Sequence, residues 1–405
     1  MAAAKGRIEA MFKTREWNRE DAEKAIFLLL ATMLGLLLRM VLFPFESWDY
    51  HQFLSEWYGL LKANGGFAAV GLNIGNYMPT YLYLLAAFTY FPISALTAIK
   101  LISCAADVVL AVYVMRIVNL RFGNATYGAL TYAATLFLPG VFLNSAVWGQ
   151  CDAIYTAALA AFVYYLMAGK ENRAVIAFAI SFVFKLQAVF LAPLLLLMVL
   201  KRKIRVGTLA FIPLVYIISI FPAVLAGRNL GELLLVYSSQ SKLYSRLVMG
   251  LPNLYTWIPD GGNGDASQLP GYFGTAAVLF AGAVVLFALF LLWRGQFTLS
   301  DEMLVSLAML FAFLVPFVLP HMHERYYYPA EIFALIFAFY FPNKLYVGVV
   351  MELLCVYAEC HYLFGTDFLS IEILAVVALI NLIAVARHTV RLAQSERLRE
   401  VGAAA

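Results

Sequence analysis

Charged residues are scarce in this sequence, and their scarcity excludes most soluble proteins. Asp, Glu, Lys and Arg make up 13% of the 405 residues, whereas 63% of the residues are hydrophobic. Soluble domains contain about a quarter charged and about half apolar residues. A soluble fold of this length has too little interior to hide so much apolar surface. The net charge of +4 does not indicate nucleic-acid binding, because the basic residues flank apolar segments and form no soluble patch.

Cysteine is rare as well, which excludes a disulfide framework. The four cysteines lack the spacing of a metal site or of paired disulfides. Two of them, Cys355 and Cys360, fall in one predicted helix, where cysteine packs as a small apolar residue. We also expect no cleavable signal peptide, because the first apolar run, Ala25–Phe43, is long and no cleavage site follows it.

The apolar residues form continuous runs that predict membrane-spanning helices. The runs are about 15–24 residues long, which suits a bilayer, and they lack the alternation of strands. We predict an all-α transmembrane bundle with about 12 membrane passages. The predicted passages are Ala25–Phe43, Ala95–Val118, Ala125–Leu143, Ala153–Met167, a hairpin of two short helices over Ala174–Leu200, Val206–Ala226, Tyr272–Trp293, Met303–Leu319, Tyr327–Phe341, Leu345–Phe364 and Leu369–Ala386.

The positions of Lys and Arg predict which side of the membrane each link faces. With a cytoplasmic N-terminus, about 20 of the 28 Lys and Arg residues face the cytoplasm, which is the bias that membrane proteins show. This orientation requires that Pro79–Phe91 does not cross the membrane. The segment is about 13 residues long, which is too short for a span, so we predict that it is interfacial or re-entrant. The predicted regions are a cytoplasmic tail (1–24), a membrane module (25–226) whose first outer loop (44–78) carries interfacial helices, a second outer loop (227–271), C-terminal membrane helices (272–387) and a cytoplasmic tail (388–405).

Two carboxylates in the outer segments are candidates for catalysis. Asp49, in SWDYH of the first outer loop, suits a general base that acts on a hydroxyl; the alternative is a solvated acid at the membrane interface. Asp152 ends the segment WGQCD. Together with Trp148 and Gln150 it suits acceptor binding or a second acid, and the alternative is an ordinary cap of the helix that it begins.

Two further segments carry cations. Lys185 interrupts the apolar hairpin in FVFKLQAVF, and a lysine at membrane depth is functional, paired or extended to the surface. Its ammonium would suit a lipid phosphate. The segment HMHER predicts an anion site that uses His321, His323 and Arg325. A purely structural turn is one alternative. A metal site that includes Glu324 is the other, but no further His or carboxylate pair has the spacing of metal ligands.

Other polar residues are candidates for supporting roles. Arg39, near the outer end of the first passage, suits snorkelling to the surface or phosphate binding. Asp107 lies on one helix face with Lys100, and both suit structural roles. Lys242 and Arg246 are four residues apart in SSQSKLYSRL of the second outer loop. Their spacing predicts an amphipathic helix over the site.

The ordered set of motifs resembles the GT-C superfamily of membrane glycosyltransferases. It consists of the acid in the first outer loop, the short Pro-led segment, WGQCDAIYTA, FKLQAVFLAP and HMHERYYYPA, and it extends from about Asp49 to Ala330. More closely, the chain is similar to the dolichyl-phosphate-glucose-dependent enzymes that extend lipid-linked oligosaccharides, and to their bacterial polyprenyl-phosphate-sugar-dependent relatives. The eukaryotic enzymes have a His-rich motif in place of WGQCD and usually a Lys in place of Arg325.

The resemblance implies inverting transfer of a hexose from a polyprenyl-phosphate donor to a hydroxyl of a glycan or lipid-linked acceptor, without a metal or another cofactor. Asp49 would be the general base, and His321, His323 and Glu324 would lie at the donor phosphate and sugar. Lys185 and Arg325 would stabilise the phosphate. Short links and a sequon on the predicted cytoplasmic side (Asn124-Ala125-Thr126) favour the outer face of a bacterial cytoplasmic membrane over the lumenal face of an endoplasmic reticulum.

Three other functions fit a polytopic membrane protein. A lipid or glycan transporter would have intramembrane charges along a central path and related halves, but the sequence has no internal repeat. A ligase or polymerase that uses a diphosphate-linked donor would have an outer loop with several Arg residues, whereas the second outer loop has Arg228 and Arg246. A non-enzymatic anchoring protein would not need the clustered polar residues of the outer segments.

Overall fold

The protein folds as a bundle of helices. The computed structural model describes residues 19–123, 125–240, 246–258 and 272–404. The α-helices are α1 (Arg19–Leu42), α2 (Ser55–Ala63), α3 (Pro79–Phe88), α4 (Ala95–Phe122), α5 (Ala125–Phe137), α6 (Pro139–Phe142), α7 (Asp152–Met167), α8 (Glu171–Phe184), α9 (Ala192–Leu200), α10 (Phe211–Leu225), α11 (Leu230–Leu234), α12 (Val236–Gln240), α13 (Phe273–Arg294), α14 (Asp301–Val318), α15 (Tyr328–Tyr340), α16 (Leu345–Phe364) and α17 (Ile371–Ala404).

Seven helical segments in the described part of the chain are long and apolar enough to cross a membrane. They are Arg19–Leu42, Ala95–Phe122, Val206–Leu225, Phe273–Arg294, Asp301–Val318, Pro342–Phe364 and Ile371–Leu398. A bent pair, Thr126–Phe137 and Pro139–Trp148, is an eighth crossing if it is counted as one. It bends by 49° at Pro139, which lacks the N–H of a helical hydrogen bond. The prediction of an all-α, multi-pass integral membrane protein is therefore confirmed.

Burial separates the core helices from those on the outside. In α14, 83% of the most apolar 18-residue stretch is buried, whereas in α1 and α13 only 17% is buried. The exposed side chains of α1 and α13 are large and apolar, which suits contact with lipid. The largest buried cluster joins residues of α4, α7, α8, α14, α15 and α16.

A break in the helices places Lys185 within the core. Helix α8 ends at Phe184, Lys185 has an extended backbone, and a 3₁₀ turn, Leu186–Leu191, leads into α9. Pro193 follows at the start of α9, where its missing N–H costs nothing. The break falls at Lys185, the residue that the sequence predicted to interrupt the apolar hairpin, and it lets Lys185 project from the end of a helix.

A short pair of parallel strands was not predicted. Strand β1, Val248–Met249, pairs with β2, Met322–His323. The pairing fastens the second outer loop to the HMHER segment, and the backbone N–H of Glu324 donates to the Met249 carbonyl at 3.0 Å. The predicted amphipathic helix falls largely outside the described residues: residues 238–240 are helical in α12, residues 241–245 are not described, and Arg246 is not helical. Lys242, Asn124 of the sequon and most of the N-terminal tail lie outside the described residues.

A buried ion pair holds the first membrane helix against the core. Arg39 Nε of α1 donates to Asp107 Oδ2 of α4 at 2.8 Å, and the two side chains are 1% and 0% exposed. Arg39 Nη1 also donates to the carbonyls of Gly35 and Leu136. The arginine therefore does not snorkel to the surface. Lys100 is bonded separately, to carbonyls of residues 43 and 45.

We expect Arg39→Met to lower the free energy of unfolding by about 3–5 kcal/mol, because it leaves Asp107 buried without its cation. Unfolding of the purified protein by heat or detergent, with matched protein in each sample, measures the loss. The Arg39→Met, Asp107→Asn double variant should recover much of it. Equal stability of wild type and Arg39→Met would contradict a structural role for the pair.

Candidate functional site

Asp49 is the acceptor for three side-chain donors at the end of the first membrane helix. Its Oδ2 accepts from Trp148 Nε1 at 2.8 Å and from Gln150 Nε2 at 2.6 Å. Its Oδ1 accepts from the hydroxyl of Tyr362 at 2.8 Å. Hydrogen bonds from three donors fix the orientation of this carboxylate. Asp49 is therefore a positioned carboxylate and not a freely solvated acid.

The WGQ turn supplies two of those donors, and its conformation requires glycine. A π-helical segment, Leu143–Trp148, ends at Gly149, which has φ +79°. This left-handed conformation lets the chain reverse, so that residues on both sides of Gly149 point at Asp49. Ser47 also donates to the Trp148 carbonyl at 2.8 Å. The Trp148 ring stacks on that of Tyr362, with centroids 4.4 Å apart.

Asp152 pairs with Lys185. The Lys185 ammonium contacts Oδ1 of Asp152, and Asn144 Nδ2 donates to Oδ2 at 3.1 Å. Asp152 is the first residue of α7, but its side chain does not cap that helix, so the interpretation as an ordinary cap is wrong. The two side chains are 0% and 7% exposed, which makes this a buried ion pair and not a snorkelling lysine.

Arg325 connects the two carboxylates. Its Nε lies 3.5 Å from Asp152 Oδ2, and its Nη1 lies 3.9 Å from Asp49 Oδ2. Nη1 also donates to Glu324 at 3.1 Å. The guanidinium lies 5.0 Å from the ring centroid of Trp148, within range of a cation–π interaction. One cation thus contacts residues from the first outer loop, the WGQCD turn and the HMHER segment.

The charges of this cluster nearly balance. Three carboxyl groups, of Asp49, Asp152 and Glu324, surround two cations, Lys185 and Arg325. Burial raises the pKa of Glu324 to about 7. Burial also works against the charge of Arg325, but its carboxylate neighbours, chiefly Asp49, raise its pKa well above the usual value. Protonation of Glu324 near neutral pH therefore changes the cluster from net negative to neutral.

The two histidines of HMHER occupy different places. Burial, followed by the charges of Arg325 and Lys185, lowers the pKa of His323 well below its usual value, so the ring is neutral at neutral pH. His321 has φ +62°, and its Nδ1 lies 2.6 Å from the Arg246 carbonyl oxygen. Its ring is therefore bonded to the second outer loop. Among the described residues, no group of three or more His, Cys, Asp or Glu side chains is placed to hold a metal ion.

Several site residues had no signal in the sequence. Tyr77, Tyr155 and Tyr326 surround the Lys185 ammonium, with ring centroids 5.6–6.0 Å away. Tyr362 binds Asp49 from within a predicted membrane passage, and Asn144 binds Asp152 from the residue that follows another such passage. The tyrosines gave no signal because tyrosine is common near membrane interfaces. Asn144 gave only a weak one, since a single asparagine beside an apolar run hints at a buried polar contact but not at its partner.

The structure therefore brings together most of the predicted site residues. We call these residues the outer cluster, after the side of the membrane on which the sequence predicts them: Asp49, Trp148, Gln150, Asp152, Lys185, Glu324 and Arg325. His323 lies close by, whereas Arg39 and Asp107 form their own pair and Arg246 contributes a backbone carbonyl.

Comparison with known proteins identifies no relative: no family model matches this chain, and no curated protein matches it.

Proposed function

We propose that the protein is an inverting glycosyltransferase of the GT-C type that moves a hexose from a polyprenyl-phosphate donor to a hydroxyl of a glycan or lipid-linked acceptor. The observation that supports this best is the outer cluster, in which an oriented carboxylate, Asp49, lies 3.9 Å from the guanidinium of Arg325, whose side chain is 10% exposed. A base for a hydroxyl and a cation for a leaving phosphate are the two groups that this reaction needs.

Asp49 suits the base better than Asp152 does. A carboxylate has about four lone-pair positions, and the side chains of Trp148, Gln150 and Tyr362 occupy three of those of Asp49. One position on Oδ1 remains for an acceptor hydroxyl. The Asp49 side chain is 12% exposed, whereas that of Asp152 is 0% exposed. An acceptor therefore reaches Asp49 more readily.

Lys185 and Arg325 suit the donor phosphate. Both are buried, and a buried cation interacts strongly with an anion because water screens it little. Each is already paired with a carboxylate, so a phosphate would share these cations with Asp152 and would not meet free charges. The tyrosine rings around Lys185 provide flat apolar surfaces beside that phosphate, which suits the faces of a sugar ring.

We also propose the membrane topology that the sequence predicts. Twelve passages result if the seven long spans and the bent pair are joined by four shorter helical segments, Asp152–Met167, Glu171–Phe184, Leu186–Leu200 and Tyr328–Tyr340. The termini would then be cytoplasmic and the outer cluster would face outward. We propose a bacterial cytoplasmic membrane, with the helices of the first outer loop at the interface.

A transfer assay tests the function. Purified protein in lipid nanodiscs is mixed with a labelled polyprenyl-phosphate hexose and an extract of lipid-linked acceptors from the source membrane. We expect the label to move to an acceptor with inversion at the anomeric carbon. The same sugar on a polyprenyl diphosphate serves as the control. Transfer from the diphosphate alone would identify a ligase or polymerase instead, and no transfer from either donor would contradict the proposal.

A transporter is the second candidate, because the structure places three glutamates, Glu331, Glu352 and Glu359, inside the helical bundle. Buried ionisable residues line transport paths in many membrane proteins. Sealed proteoliposomes that hold labelled polyprenyl-phosphate hexose in the inner leaflet distinguish the two functions. Movement of the label to the outer leaflet without chemical change would favour transport.

Binding of the donor should weaken as the pH rises through about 7. Glu324 is neutral below this value and is a carboxylate beside Arg325 above it, where it competes with the phosphate. The donor is a phosphodiester, which keeps one negative charge over this pH range, so the pH dependence of binding comes from the protein. The dissociation constant should rise by up to about tenfold per pH unit above 7. Glu324→Gln should remove this dependence, whereas the exposed Glu372→Gln control should keep it.

A further inference from the structure

Three glutamates that the outer cluster does not use have buried carboxyl oxygens. Glu331 lies on α15 and is 2% exposed; Glu359 lies on α16 and is 1% exposed. Glu352, seven residues before Glu359, is half-buried, but its Oε2 has no contact with solvent. Ionised carboxylates at such positions are costly unless they are paired.

Two of these carboxyl groups meet at one glycine. The backbone N–H of Gly140, at the start of α6, donates to Glu352 Oε1 at 3.2 Å. The Glu331 carboxyl lies directly against the same residue, because a Cβ on Gly140 would collide with both of its oxygens. The carboxyl groups of Glu331 and Glu352 are also within hydrogen-bond range of each other, and the Cys355 thiol is within range of Glu331.

No cation in the described residues forms an ion pair with Glu331 or Glu352. Both oxygens of Glu331 and Oε2 of Glu352 have no other hydrogen-bond partner. The nearby acids on α4 and α7 already have cations, since Asp107 pairs with Arg39 and Asp152 with Lys185.

The other helices that pack against α15 add no cation at this point. Asp301 and Glu302 begin α14 at its far end, and Arg121 of α4 contacts Glu302 there. His388 of α17 lies against Phe337, near the end of α15, and against Phe341, which follows that helix, and both are further along the chain than Glu331. The titratable groups that face the pair are therefore Cys355, Glu359 and the hydroxyl of Tyr328.

We propose that Glu331 and Glu352 form a proton-binding site that holds one proton between their carboxyl groups. Two carboxylates in an apolar interior repel each other strongly. One proton removes this repulsion and gives a charge-assisted O–H···O⁻ hydrogen bond, which is stronger than a neutral one. The small size of Gly140 makes room for the pair.

The pair connects to the outer cluster through one face of α16. Glu352, Cys355, Glu359 and Tyr362 follow at spacings of three and four residues, so they lie along one side of the helix. Asn144 donates to Glu359 at 3.3 Å and also to Asp152. Tyr362 donates to Asp49. Loss of the shared proton would push α15 and α16 apart at the base of this face and disturb both contacts.

Infrared spectroscopy of the full chain in nanodiscs tests the proton directly and requires no substrate, so its result is independent of the proposed function. At neutral pH, the protonated-carboxyl absorption of wild type should exceed that of the Glu331→Gln, Glu352→Gln double variant by one carboxyl group, whereas the contribution of Glu324 is common to both. The two amides can still bond to each other, so this variant should fold. Glu372→Gln, which changes an exposed acid, is the control and should leave this absorption unchanged. Equal protonated-carboxyl absorption in wild type and in the double variant would overturn the proposal.

Stability against pH provides a second measurement. A proton held by the folded pair stabilises the protein at low pH, and this contribution is lost as the pH rises through the pKa of the pair. The melting temperature of wild type should therefore fall more steeply than that of the double variant as the pH rises above about 4, the ordinary pKa of a carboxyl group. An equal dependence of the melting temperature on pH in the two proteins would overturn the proposal. A melting temperature that rises with NaCl but not with choline chloride, in wild type alone, would also overturn it and would indicate a sodium site instead.

Discussion

Replacement of Asp49 by Asn should lower the rate of sugar transfer by about 10²–10⁴-fold, the usual contribution of a general base. The amide has a similar shape and can still accept from Trp148 and Gln150, so the fold should persist. Its NH₂ group cannot remove a proton from a hydroxyl. We therefore expect kcat to fall while KM for the donor changes little, as measured by transfer of labelled sugar over a range of donor concentrations.

A matched control lies in the same loop. Glu46 is half-exposed, and its carboxylate lies 3.0 Å from His51 Nε2, so Glu46→Gln changes an acid that the outer cluster does not use. Its transfer rate should remain within about twofold of wild type. Full transfer by a folded Asp49→Asn protein would eliminate Asp49 as the base, and an equal loss in both variants would point to a general effect of charge.

Removal of Lys185 should have a large effect on both stability and transfer. Lys185→Met leaves Asp152 without its closest cation in a fully buried position, which should lower the free energy of unfolding by about 3 kcal/mol. Arg325 and Asn144 still contact Asp152 and limit the loss. Transfer should fall by about 10²–10³-fold if the ammonium stabilises the leaving phosphate.

The Lys185→Met, Asp152→Asn double variant separates these two effects. It removes both charges together, so it should recover most of the stability in a thermal unfolding assay. Transfer should stay low, because no ammonium remains beside the donor phosphate. Recovery of transfer along with stability would show that Lys185 serves only to neutralise Asp152.

The sequence predicted the helices and the polar end of the bundle because both depend on local patterns. Continuous apolar runs identify spans, and Lys and Arg identify one side of the membrane. The same reasoning placed Asp49, Asp152, Lys185 and Arg325 on one side, and these four residues do lie in contact with one another.

Pairings between distant segments were less predictable. Arg39 contacts Asp107 because α1 and α4 are neighbours in space, which neither segment shows alone. The β1–β2 pair is only two residues long in each strand, too short to leave a periodic pattern. Tyr362 resembles any other interfacial tyrosine in the sequence, although its hydroxyl binds Asp49. Such contacts are decided by tertiary packing and not by local propensity.

The bond between Tyr362 and Asp49 joins residues that are 313 positions apart, which has a consequence for biosynthesis. At translation rates of about 5–20 residues per second, the ribosome needs roughly 15–60 s to reach Tyr362 after Asp49 has emerged. During this interval the carboxylate lacks its donor from α16, and Trp148 lacks its stacking partner. The nascent chain is therefore inserted with an incomplete site, and the site is completed only when the second-to-last helix packs against the first outer loop.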